Sequence, residues 1–356
     1  MCSALPLLWI GILSAQTPQT IPSTRSLAVD RDPAPSIDPD VVVPTPTTPA
    51  PVAGVGPVSK DETGRYTLEA DAYEVALNVS VLDSAGRPAL NLSKNAFRVF
   101  EDGVSQTITG FRHEDAAVSI GLLIDSSASM YDKRSAVEQA FLDLVRLSNS
   151  KDEEFLVDFS SKAYIDQDFT SSVEKLHEGL RYVSSTGGTA EYDAVMASAT
   201  YLSKHAKNNK KVLLLITDGE DNASKTTMEQ MIQRVQQLDG PVIYCVGLLF
   251  GEDTDKLESR RARALLERIA TQTGGAAFFP KTLKDVDKIA SIVAEDIRTQ
   301  YIIGYHSTNP PSNGGYRTVH VEAVGPDHQK LSVRTRNGYL PKAMHVTAAR
   351  NGPPPQ

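Results

Sequence analysis

From residue 118 to residue 298 the sequence alternates short apolar runs with amphipathic segments, and this alternation narrows the fold more than any other feature. Val118 to Ile124, broken only by Ser119 and Gly121, reads as a buried strand, and Val212-Leu213-Leu214-Leu215-Ile216 as a second. Runs without polar alternation belong to strands covered on both faces, as in a parallel sheet with helices on either side. Apolar spacing predicts helices over 134–147 (Val137, Phe141, Leu144 and Val145 on one face), 173–183, 191–206, 227–238, 256–273 and 283–298. Further strands are expected over 154–160 and 163–165, as a hairpin, and over 241–247 and 276–279. The expected class is α/β, with a doubly wound, mostly parallel, Rossmann-like sheet.

The flanks follow a different pattern. Val75, Leu77, Val79 and Val81 alternate with Glu74, Ala76, Asn78 and Ser80, the period of a half-buried strand, and 97–100 and 105–111 read as two more. After residue 298 strands return at 300–306, 316–324 and 330–335. The simplest arrangement joins 66–115 and 299–341 as two halves of a small β-sandwich, with the α/β unit (118–298) inserted between them. Order is expected to begin near Tyr66. Segment 17–64, centred on Pro44-Thr45-Pro46-Thr47-Thr48-Pro49-Ala50-Pro51, reads as a disordered Pro/Thr-rich linker, and 342–356 as a disordered tail. Residues 1–16 carry an apolar stretch followed by Ser14-Ala15-Gln16, the pattern of a signal peptide, although no Lys or Arg precedes it. The stretch is shorter than the roughly 20 apolar residues needed to span a bilayer. The expectation is export to a periplasm, cell envelope or medium, with no membrane span after signal cleavage.

A net charge of −8 without any Lys/Arg cluster argues against a nucleic-acid partner. Of the two cysteines, Cys2 lies in the signal segment and Cys245 in an apolar run, so neither a disulfide nor a thiolate metal site is available. Neither Gly-x-Gly-x-x-Gly nor a P-loop follows a strand, which argues against a nucleotide. The seven histidines are scattered and no nucleophile stands beside a base, so no enzyme site is legible.

The first strand ends in Asp125-Ser126-Ser127-Ala128-Ser129 and the strand before Asp218-Gly219 ends likewise on a carboxylate. With Gly187-Gly188-Thr189 these make three loops expected at C-terminal strand edges on one side of the sheet, where open α/β folds bind ligands. Taken singly, an Asp or Ser there is often a helix cap and the glycines a turn. Taken together, Asp125, Ser127, Ser129, Thr189 and Asp218 offer only oxygen, which selects a hard cation. Three neutral hydroxyls and two carboxylates suit octahedral Mg²⁺ or Mn²⁺ better than a Ca²⁺ cage rich in carboxylates. Such an ion keeps positive character and an open position that an acidic group of a partner could fill. Glu191, Glu220 and Asp221, near the same edge, read as solvated loop charges.

This set of motifs resembles the metal-ion-dependent adhesion site of von Willebrand factor type A domains, over roughly 118–297. The resemblance implies that Ser127, Ser129 and Thr189 are direct metal ligands and that Asp125 and Asp218 bind directly or through water. Ala128 stands where many members carry glycine. Phe97-Arg98-Val99-Phe100-Glu101-Asp102-Gly103, Tyr301-Ile302-Ile303-Gly304-Tyr305 and Arg336-Asn337-Gly338-Tyr339 resemble the von Willebrand A-related exported proteins of acidobacteria. The function this implies is a non-enzymatic, metal-dependent binding module that engages a protein presenting Asp or Glu. The alternatives are a metal-dependent hydrolase or phosphotransferase using the same cation, and a structural domain that holds no metal.

Overall fold

The computed structural model describes residues 58–60, 66–68, 74–113, 115–182, 187–238, 240–250, 256–326 and 329–341. The predicted signal peptide, most of the linker and the tail lie outside the described residues. Order begins earlier than Tyr66: β1 (Val58–Lys60), inside the segment read as linker, pairs antiparallel with β2 (Tyr66–Leu68). Then come β3 (Glu74–Leu82), β4 (Phe97–Glu101), β5 (Val104–Gln106) and β6 (Ile108–Arg112). The single strand expected over 105–111 is thus two strands, parted at Thr107. β5 pairs with β4, whereas β6 joins another sheet, so the chain changes sheets at that residue.

The α/β unit starts with β7 (Val118–Asp125), whose eight residues are all buried. It continues through α1 (Arg134–Arg146), β8 (Glu153–Phe159), β9 (Ala163–Thr170), α2 (Val173–Gly179), α3 (Glu191–His205) and β10 (Lys210–Thr217). It closes with α4 (Met228–Gln237), β11 (Val242–Gly247), α5 (Lys256–Thr273), β12 (Ala277–Phe278) and α6 (Val286–Arg298). The sheet order is β12-β11-β10-β7-β8-β9, parallel throughout except for the β8–β9 hairpin. Strand pleat sorts the core onto two sides. Ile120, Leu122, Ile124, Val212, Leu214 and Ile216 pack with α1 and α6, while Leu123, Leu213 and Leu215 pack with α3, α4 and α5. Helices on both faces explain why these strands carry no polar alternation. Gly121 sits where a Cβ would run into the Phe155 ring and Leu213, so close packing keeps that position a glycine.

The chain then returns to β structure with β13 (Tyr301–His306), β14 (Arg317–Ala323), β15 (Ser332–Arg334) and β16 (Gly338–Tyr339). Two antiparallel sheets result, β15-β3-β13-β6 and β16-β14-β4-β5, and each contains strands from before β7 and after α6. Both sheets contribute to one buried cluster that includes Val75, Leu77, Val79, Val99, Tyr301, Ile303 and Val321. Buried polar contacts tie this part to the α/β unit: Tyr244 Oη donates to Asp296 (2.5 Å), Arg334 reaches the same carboxylate (2.8 Å), and Gln300 donates to both Ser80 and Tyr244.

Candidate metal centre

β7 and β10 are neighbours in register, Ile124 opposite Ile216, so the residues that follow them emerge side by side. This is the point where the strand order reverses. Asp125 is buried and both its oxygens are held. Oδ1 accepts from the Ser127 amide at 2.8 Å and Oδ2 from the Thr217 hydroxyl at 2.6 Å. The Ser127 and Ser129 hydroxyls lie 3.0 Å apart, and Ser129 Oγ donates to Asp218 Oδ1 at 2.8 Å. Four of the five predicted residues are therefore linked by hydrogen bonds, Asp125 to Ser127 through the Ser127 amide and Ser127, Ser129 and Asp218 through side-chain oxygens. Burial raises the pKa of Asp125, and the nearby charge of Asp218 pushes the same way, against the hydrogen bonds from Thr217 and Ser127 that lower it. A cation placed among these oxygens would offset that cost.

Thr189 reaches this edge by a different route from the one expected. Its loop follows a 3-10 turn (Leu180–Tyr182) that extends α2, and leads into α3, rather than ending a strand. The reason is the hairpin. Antiparallel β9 carries the chain to the opposite edge, and α2 with its turn carries it back. There the Thr189 amide donates to Asn222 Oδ1 (2.8 Å), its carbonyl accepts from the Asn222 and Ala223 amides, and the Ala128 amide meets the Gly187 carbonyl at 3.5 Å. Thr189 is buried, clamped between the Asp125 loop and the Asp218 loop.

The three acidic residues expected to be solvated loop charges are not. Glu191, the first residue of α3, is only 2% exposed, and burial together with the charges of Asp221 and Asp125 holds its carboxyl well above the usual range. Asp221 is half-buried and accepts from the Tyr192 amide (3.0 Å), a donor at the start of α3, and from the Ser224 amide (3.1 Å) in its own loop. Glu220 is likewise half-buried, with one buried oxygen lacking a partner among the described residues.

Sequence reasoning also passed over the supports. Thr217 orients Asp125; Asn222 positions Thr189. Ser126 turns the other way and donates to Asp158 Oδ2 at 2.8 Å, where Asp158 and Asp166 form a buried carboxyl pair whose pKa values burial drives up. Lys133, just before α1, sets its ammonium 2.5 Å from Asp218 Oδ2. Of these, Asn222 alone had a local signal, as it closes the run Asp218-Gly219-Glu220-Asp221-Asn222.

The donor chemistry fits a hard divalent ion: three hydroxyls and two carboxylates at one edge, with the buried free thiol of Cys245 not among the donors. Among the described residues no group of three or more His, Cys, Asp or Glu converges as a metal cage, here or elsewhere.

Residues 120–220 match the model of the von Willebrand factor type A domain, the span that holds most of β7, all of β10 and all five residues. The chain carries a domain of that family. A curated relative, the human inter-alpha-trypsin inhibitor heavy chain H6, is 22% identical over 240 residues, covering 60% of this chain and 18% of its own length. The chain thus spans less than a fifth of that relative. Similar solved structures include a von Willebrand factor type A protein from Catenulispora acidiphila, 13% identical, covering 76% of this chain and 74% of the other, with a TM-score of 0.42. Another is an aerotolerance-related membrane protein from Bacteroides fragilis NCTC 9343, 16% identical, covering 51% and 98%, with a TM-score of 0.42. Proximal thread matrix protein 1 from the mussel byssus, described with a zinc-occupied adhesion-site motif, is 17% identical, covering 56% and 50%, with a TM-score of 0.43.

Proposed function

We propose that this chain is an exported, non-enzymatic binding module that grips a carboxylate of a protein partner through a divalent ion, Mg²⁺ or Mn²⁺ in preference to Ca²⁺. In this reading Ser127, Ser129 and Thr189 ligate the ion directly. Asp125 and Asp218 bind it directly or through water, and the remaining position takes an Asp or Glu of the partner. The observation that carries the reading is the hydrogen-bonded cluster of Asp125, Ser127, Ser129 and Asp218, assembled from two loops at the strand-order switch. With hydroxyls as direct ligands and Asp218 already paired with Lys133, the ion keeps positive character, which favours an anionic sixth group. We further propose that 66–115 and 299–341 form a mount for the binding domain, and that the segment before them spaces it from the envelope.

Calorimetry on the purified chain tests this directly. Mg²⁺ or Mn²⁺ is expected to bind and to raise the melting temperature by linkage. Absence of any heat or thermal shift at millimolar ion would remove the mechanism. Turnover of hydrolase or phosphatase substrates that depends on Mg²⁺ and is lost in Asp125→Ala would instead favour the enzymatic alternative.

A further inference from the structure

Lys133 holds a position that the binding reading leaves unexplained. It ends the loop that supplies Ser127 and Ser129, and its backbone is fastened there, its amide donating to the Met130 carbonyl and its carbonyl accepting from Val137. Its side chain is 19% exposed, that of Asp218 only 1%, and the two meet at 2.5 Å. Ser129 engages Oδ1 of Asp218 and Lys133 engages Oδ2, so both oxygens of this carboxylate are committed. An ammonium has three donors and no acceptor. It can therefore balance Asp218 but never ligate a metal. A divalent ion that draws on Asp218 must compete with this charge for one carboxylate and is repelled by it across a partly shielded space.

We propose that Lys133 is an internal competitor for the cation, a positioning residue that sets how much free divalent metal is needed before the site loads. The inference rests on the metal-site reading above and adds a threshold to it. An ion pair serving only to fasten the loop to the β10 edge makes a different prediction, because removing it would weaken folding without tightening metal binding.

The test titrates Mn²⁺ into the full-length, EDTA-treated chain by calorimetry, comparing wild type with Lys133→Met and Lys133→Arg. Lys133→Met is expected to bind on the order of tenfold more tightly once the repulsion is gone. Lys133→Arg, which keeps the charge, is expected to stay close to wild type. Without metal, Lys133→Met melts lower than wild type, and its melting temperature rises further when Mn²⁺ is added. Equal or weaker affinity in Lys133→Met, with wild type binding, overturns the inference and leaves the metal site standing. Binding by neither protein overturns both. Binding by Lys133→Met alone upholds the competitor role and removes metal dependence from the natural chain. Should Lys133→Met fail to fold by circular dichroism, Lys133→Gln takes its place with the same expectations.

Discussion

At the N-terminal edge of the six-stranded sheet, Arg298 reaches both Asp152 and Asp115, Asp152 accepts from the Val118 amide, and Lys210 is enclosed against the Ile297 carbonyl. At the C-terminal edge, Asp125 and Asp218 are held by hydroxyls and an amide, and Lys133 reaches Asp218 but not Asp125. Both edges bury carboxylates, but the first carries its counter-charges within the fold and the second collects oxygen donors beyond what one lysine balances. Buried charges paired in place act as a clamp, and removing one partner strands the other. Clustered oxygens with an incomplete counter-charge form a place where a cation is stabilising. The comparison separates an end of the sheet clamped by ion pairs from the end that gathers the candidate metal ligands.

The two ends should respond differently to substitution. The largest effect is expected from Arg298→Met, which leaves Asp152 buried without its guanidinium and should cost about 3 kcal/mol in denaturant unfolding. Mn²⁺ affinity should not change in that variant; a parallel loss of metal binding would dissolve the distinction between the edges. Next, Asp218→Ala and Asp125→Ala should each weaken Mn²⁺ binding by at least about 100-fold, roughly 2.7 kcal/mol by calorimetry.

Glu154 should show itself through pH. Burial pushes its carboxyl from the ordinary 4.5 up to about 7. Between those values the folded protein keeps a proton that the unfolded chain has released, so stability falls as pH rises from 4.5 to about 7 and levels off above that. Glu154→Gln should flatten this slope and gain roughly 1–3 kcal/mol at pH 8, read from urea midpoints across pH. An unchanged slope would show that this carboxyl is already charged at neutral pH. The smallest effect is expected at Thr217→Val, where the lost hydrogen bond to Asp125 should cost about 1 kcal/mol of stability. A much larger loss would mean that Thr217 anchors the whole loop.

Much of the α/β unit was legible because strand and helix periods report which faces are covered, and those faces were covered locally. β7 and β10 announced themselves by apolar runs without polar alternation, and α5 began and ended at the residues that periodicity indicated. The split at Thr107 was not legible, because Val104–Gln106 and Ile108–Arg112 share one polar-apolar rhythm and differ only in which strand each pairs with. Glu191 was misjudged for a related reason. A glutamate at a helix start is ordinary in sequence, and the walls that enclose it come from other loops. Lys133 carried no signal, since a lysine ahead of a helix acquires meaning only from the carboxylate opposite.

By itself the sequence determined the strand and helix alternation and the oxygen-bearing residues available for a cation, since side-chain period and donor type are local properties. Only the tertiary structure decided which of those oxygens meet. Asp125 touches a hydroxyl 92 residues away and Ser129 a carboxylate 89 residues away, because crossover helices lay β10 against β7 rather than next to its predecessor in the chain. Residue pattern says what a face can bury, whereas strand order, set by packing both faces at once, says what stands beside it.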